Sequence, residues 1–187
     1  MFFSTNVQFD KDLFIFTDNL FMEKIICGIQ QMGIGVPDVQ EIWKWYRKFF
    51  GIDIRVFEDA AEAPLMTIYT GGKVQSRTAS LALSMESGGG FEIWQYTSRN
   101  TEKAVFDIQL GDYGLYSCRI KSRNVQKTFA YFKENGAKII GELSKTPTGE
   151  YTFFVEDPNG NIFNIVEGSG WFKDTKHPSC CGAVAGT

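Results

Sequence analysis

One order of elements occurs twice in this chain, and that repetition limits its possible folds more than any other feature. Residues 25–36 read as a strand. Pro37-Asp38 then opens a helix, with Asp38 as N-cap and Glu41 three residues on in a capping-box pattern. Val39, Ile42, Trp43, Tyr46, Phe49 and Phe50 recur at helical spacing, and Gly51 ends the run. Strands follow at 52–57 and 79–85 and at Phe91–Tyr96, with a possible short one at 66–69. From Tyr113 the order returns: a strand at 115–121, a helix at 124–135 with Val125, Phe129 and Phe132 apolar, a stop at Gly136, and strands at 138–140, 151–156 and 162–167. Gly136 follows Gly51 by 85 residues, and the same shift carries Tyr46 onto Tyr131 and Asp38 onto Arg123. Each half reads βαβββ. Neither half buries its sheet alone, so an α+β domain is expected in which two modules curl around a shared cleft.

The boundaries that follow are an N-terminal extension at 1–24, a domain at 25–168 and a tail at 169–187. Within the domain, module one is 25–98, a polar linker is 99–112 and module two is 113–168. With 187 residues, 43% of them apolar, the chain can bury a core. A net charge of −3 argues against a nucleic-acid surface. No segment approaches the roughly 20 apolar residues that span a bilayer, and the first residues do not read as a signal peptide. Four cysteines, Cys27, Cys118, Cys180 and Cys181, make no disulfide framework in a chain this long, which suits a reducing cytoplasm.

The strongest local signal is Asp157-Pro158-Asn159-Gly160 between two apolar strands. Asp can bond its own backbone, Pro presets φ, and Gly suits the last position, so this is a hairpin turn. The strand after it carries one polar residue, Asn164, among apolar neighbours.

Three stretches together resemble the vicinal oxygen chelate superfamily, the glyoxalase, bleomycin-resistance and dioxygenase group. They are Gly33–Asp38 with Trp45–Gly51, then Gly90–Gln95, then Glu156–Asn161. The resemblance implies an eight-stranded open barrel of paired βαβββ units. In the group's metal enzymes each module usually supplies two ligands, a His or Gln on its first strand and a Glu on its last. Counting back from Asp38 gives Gln31, and the last-strand position is Glu92. In the second module the 85-residue shift gives Tyr116, with Asn164 on the last strand; neither is a usual ligand there.

Two functional classes follow. One is a small-molecule binder of the bleomycin-resistance type with a degraded metal site, its cleft lined by Trp94, Tyr96, Tyr116, Cys118 and Asn164. The other is a glyoxalase-type lyase or isomerase. There Glu92 acts as a general base beside a carbonyl and Tyr116 donates a hydrogen bond, with a divalent ion (Ni, Mn, Mg or Zn) on Gln31 and Glu92 as an optional aid. Arg119 and Arg123 are a possible carboxylate clamp, against an ordinary role as surface charges. The tail offers His177, Cys180 and Cys181, too few for a zinc site. Cys181-Gly182-Ala183-Val184 is similar to Cys27-Gly28-Ile29, which leaves three readings of the tail: a disordered terminus, the start of a further unit, or a strand supplied to a neighbouring subunit. The apolar N-terminal extension and open sheet edges point to a homodimer.

Overall fold

The structure is a computed structural model that describes residues 29–84 and 89–168, together with the backbone of Val184–Gly186. The N-terminal extension, His177 and the cysteines other than Cys118 lie outside the described residues.

The first module runs β1 (Gln31–Gly35), α1 (Val39–Phe50), β2 (Ile54–Glu62), β3 (Ser76–Leu83) and β4 (Gly90–Tyr96). The second runs β5 (Ser117–Ser122), α2 (Val125–Glu134), β6 (Lys138–Lys145), β7 (Tyr151–Glu156) and β8 (Ile162–Glu167). The sheets are ordered β1-β4-β3-β2 and β6-β7-β8-β5, and Val184–Gly186 adds β9 antiparallel to the outer edge of β5. That last pairing is within the chain, not with a neighbouring subunit as one sequence reading allowed. The sheets form an α+β fold of two βαβββ modules with the helices between them, and they do not close into a barrel.

The helix signals hold at the atomic level. The Asp38 carboxylate accepts from the backbone N–H groups of Gln40 and Glu41, and Gly51 caps α1 in the left-handed region at φ 62°. The second helix is capped by Asn124, whose side chain accepts from the Lys127 N–H. Asp38 and Asn124 are 86 residues apart, not 85. The strands agree: Gly33 pairs with Glu92 on β4, and Arg119 pairs with Asn164 on β8. The stop glycines mislead because α2 has 10 residues where α1 has 12. Two further expectations fail. Pro64–Tyr69 is a 3-10 helix, not a short strand, consistent with proline in its first turn. The inter-module linker is not uniformly polar, since Val105, Phe106, Ile108 and Leu110 are all exposed on it.

One core joins the modules. The Phe50 and Phe163 rings lie 4.8 Å apart, Phe91 and Phe163 5.6 Å, and Phe49 and Phe132 4.9 Å. These residues sit on the helices and on the sheet faces that meet them. Beside the aromatic cluster, the buried Tyr46 hydroxyl donates to Asp157 Oδ2 at 2.8 Å. The turn thus does more than reverse the chain. The Asp157 carboxylate also accepts from the Asn159 and Asn161 N–H groups and the Asn161 amide, which offsets the cost of burying it. Asp157 therefore ties the second module's hairpin to the first module's helix across 111 residues of sequence.

Candidate functional site

Strand alternation sorts the expected site residues by face. On β4, Phe91 and Ile93 enter the core, so Glu92, Trp94 and Tyr96 lie on the other face. On β8, Phe163 and Ile165 enter the core, so Asn164 lies on the other face of its sheet. The structure thus brings Gln31, Glu92, Trp94 and Tyr96 to one outer face and Asn164 to another, each turned away from the common core. The single cleft expected between the two halves of one chain is not formed in this way. A hollow of about 490 Å³ does lie at the end of β4, lined by Pro37, Gln95, Tyr96, Thr97, Arg99, Asn100 and Thr101, but it includes neither Glu92 nor Asn164.

Two expected residues are corrected by register. With the shift at 86, the counterpart of Gln31 is Ser117: Gln31 pairs with Gly90 and Ser117 with Ile162, each two residues before the last-strand position. Tyr116 precedes β5 and is one place out of phase, which in a strand reverses the face. Cys118 belongs to the core, pairing with Phe163, and does not line an outer face. Burial pushes its thiol pKa up to about 12, so it is unsuited to nucleophilic or ligand chemistry.

On the first sheet, Gln31 Nε2 donates to Glu92 Oε2 at 2.7 Å. The amide and carboxylate expected as a pair are therefore in direct contact, joined by a hydrogen bond. Further along this face the Arg77 guanidinium lies 5.0 Å from the Trp94 ring centre and is anchored to Asp59 at 2.8 Å. Arg99 lies 4.9 Å from the Tyr96 ring centre. Both aromatics are thus already engaged by cations of this chain.

On the second sheet, the orientation of Asn164 is forced. The Thr152 hydroxyl donates to the Ile165 carbonyl at 2.9 Å, so toward Asn164 it can only accept. Asn164 Nδ2 donates to it at 2.7 Å and to the Phe153 carbonyl at 3.2 Å. Both amide hydrogens are spent on acceptors, leaving Oδ1 without a partner among the described residues. A carboxylate here would meet two acceptors. This explains why the position matching Glu92 is an amide.

The four positions are therefore Gln31, Glu92, Ser117 and Asn164. They offer one formal negative charge and no imidazole or thiolate. Arg119, the strand neighbour of Asn164, adds positive charge beside them. Among the described residues no three of His, Cys, Asp and Glu group as a metal centre. This donor set does not fit a resident divalent ion.

Two βαβββ modules, each presenting a first-strand and a last-strand residue on the face away from its helix, define a duplicated α+β scaffold. The model for the Glyoxalase/Bleomycin resistance protein/Dioxygenase superfamily matches residues 28–165, and the chain belongs to that superfamily. No curated protein matches it. Among solved structures it is similar to a glyoxalase family protein from Bacillus cereus (11% identity, 78% of this chain and 97% of that one, TM-score 0.62). It is also similar to a glyoxalase family protein from Enterococcus faecalis (17% identity, 79% and 100%, TM-score 0.52). A mutant glyoxalase I from Zea mays aligns at 20% identity over 82% of this chain, which spans 48% of the maize protein (TM-score 0.52). At these identities the likeness speaks to the fold alone. No helix among the described residues is long and apolar enough to cross a membrane.

Proposed function

We propose that this protein binds a small organic molecule, without a resident metal, in a cleft formed when the outer face of one copy's first sheet meets the second sheet of another copy. The observation that carries the reading is Asn164. Its amide is locked by Thr152 and Phe153, so the position that would complete a metal site presents a single neutral acceptor. The opposed faces also differ in charge. Glu92 projects from one, and Arg119 and Lys121 from the other, with no salt bridge to any of the three among the described residues. The exposed side chains of Phe106 and Leu110 on the linker add apolar surface that pairing would cover.

A second reading, a glyoxalase-type lyase or isomerase with Glu92 as base, is favoured by the 2.7 Å contact with Gln31, which holds the carboxylate in one place. Metal analysis separates the two. The protein is incubated with excess Ni²⁺, Mn²⁺, Mg²⁺ or Zn²⁺, dialysed and assayed for bound metal. The binder reading expects far less than one ion per chain. One ion per chain, lost in both Gln31→Ala and Glu92→Ala, overturns it in favour of the enzyme. Light scattering after size exclusion should give a dimer, and a monomer at working concentration removes the two-copy cleft.

A further inference from the structure

The outer face of the second sheet carries a row of four side chains turned away from the core. Cα pairing runs from Arg119 on β5 to Asn164 on β8, to Phe154 on β7 and to Ile140 on β6. Neighbouring strands lie about 4.8 Å apart, so the row spans roughly 14 Å. It reads, in order, guanidinium, amide, aromatic ring and branched aliphatic chain. Arg119 is exposed, and Phe154 and Ile140 are each 38% exposed. Their neighbours along the strands, Cys118, Ile120, Phe153 and Val155, fill the core. On β9 the residue paired with Arg119 is Gly186.

Each member of the row has an unmet capacity. Among the described residues the Arg119 guanidinium has no salt bridge or hydrogen bond. The Asn164 side chain is only 7% exposed, and its Oδ1 is the one polar atom of that amide left unfilled. That oxygen is not among the fully enclosed unpartnered atoms, so a ligand can reach it and supply the donor. Because both amide hydrogens are already spent, that ligand must bring an N–H or O–H. Arg119 asks for an anion, and its planar fork suits a carboxylate. Phe154 and Ile140 ask for an apolar group on the side of the amide away from the guanidinium.

We propose that this row binds a 2-hydroxy or 2-amino carboxylic acid with an aromatic or branched side chain. The carboxylate pairs with Arg119, the hydroxyl or ammonium on the adjacent carbon donates to Asn164 Oδ1, and the side chain covers Phe154 and Ile140. A divalent cation is disfavoured beside the guanidinium. A fully ionised phosphate satisfies Arg119 but offers Oδ1 no hydrogen. This inference rests on the small-molecule reading above and names the ligand class for one wall of that cleft.

The test titrates the isotope-labelled full chain with L-phenyllactate, L-phenylalanine, 3-phenylpropionate and phenyllactamide, following amide and methyl resonances. L-Phenyllactate and L-phenylalanine should shift signals of Arg119, Asn164, Phe154 and Ile140. 3-Phenylpropionate lacks the donor and phenyllactamide lacks the carboxylate, so each should bind at least tenfold more weakly. Arg119→Gln, at an exposed position, should weaken L-phenyllactate binding 10- to 100-fold with the thermal midpoint unchanged. Equal binding of 3-phenylpropionate, an unaffected Arg119→Gln variant, or no response to any of the four overturns the assignment. Shifts confined to Gln31, Glu92 and Trp94 also overturn it while leaving small-molecule binding intact. Failure of the broader reading shows separately, as stoichiometric metal or a monomeric chain.

Discussion

Replacing Asn164 by Asp changes one nitrogen to oxygen, and the structure sets what that costs. Two hydrogen bonds are lost, to Thr152 Oγ1 at 2.7 Å and to the Phe153 carbonyl at 3.2 Å. Each neutral bond contributes about 1 kcal/mol, and the new carboxylate, buried against a carbonyl, adds a desolvation and repulsion cost of about 1–3 kcal/mol. Asn164→Asp should therefore lose about 3–5 kcal/mol of stability at pH 7, close to the lower end of what a whole domain has. The loss depends on pH, with a definite sign. Burial and facing acceptors raise the folded pKa of the introduced carboxyl above the unfolded value, near 3.9. Below that value both states are protonated and only the hydrogen-bond deficit remains. As the pH rises, the unfolded chain gives up its proton first, so the penalty grows until the folded pKa is passed. Urea unfolding at pH 3 and pH 7 measures the penalty on either side of the unfolded value, with Asn164→Ala as the control that carries no titrating group. Equal losses at the two pH values, or a variant as stable as the parent, would refute the locked-amide argument.

Other expectations follow from particular contacts. Tyr46→Phe removes one hydrogen bond to the buried Asp157 carboxylate, so urea unfolding at pH 7 should show a loss of about 1.5–3 kcal/mol. The Tyr46 pKa lies well above the ordinary value, first through burial and then through Asp157. Its contribution is therefore whole below the unfolded pKa, near 10, and falls as the pH rises beyond it; matching alkaline slopes for parent and Tyr46→Phe would contradict this. Cys118, with its thiol raised to about 12, should escape iodoacetamide at pH 8 in the folded protein and react once urea unfolds it, as peptide mapping can read. A Cβ at Gly90 would lie 2.0 Å from the Ala82 carbonyl oxygen, so Gly90→Ala must displace β4 or β3. It should lower the thermal midpoint by the equivalent of about 1–3 kcal/mol, and an unchanged midpoint would argue against the β3–β4 register.

The elements were legible because their signals are local. Helical spacing, N-caps and the Asp157–Gly160 turn each involve residues within a few places of one another. The relative register of the two modules was not legible from the stop glycines, since helix length sets where a glycine falls and α2 is shorter. One residue of error was enough to select Tyr116 in place of Ser117 and to count Cys118 among the lining residues. The better landmark was present: Asp38 and Asn124 are both good N-caps, and aligning caps gives the shift that the strand pairing requires. The partnership of Asp157 with Tyr46 had no local trace, because a turn that looks self-sufficient gives no hint of a distant hydroxyl. Nor could alternation alone tell which sheet faces meet. Two βαβββ modules can share their outer faces or their helix faces, and the large aromatics Phe50, Phe91 and Phe163 decide for the latter.

The two last-strand positions have diverged for a reason that lies in their neighbours. On β4, Glu92 stands beside a donor, the Gln31 amide, and can remain a carboxylate. On β8, the equivalent place is bounded by a hydroxyl already committed as a donor elsewhere and by a peptide carbonyl, so only a group with hydrogens to give fits. A carboxylate at 164 would have to draw the Thr152 hydroxyl away from the Ile165 carbonyl, and it would still face the Phe153 carbonyl with no hydrogen to offer. The difference between the two positions is thus a property of the β7–β8 pair and not of one side chain. Arg119, at the register position of Gly33 in the other module, places a positive charge beside Asn164. A wall built this way favours an anion with a hydrogen to donate.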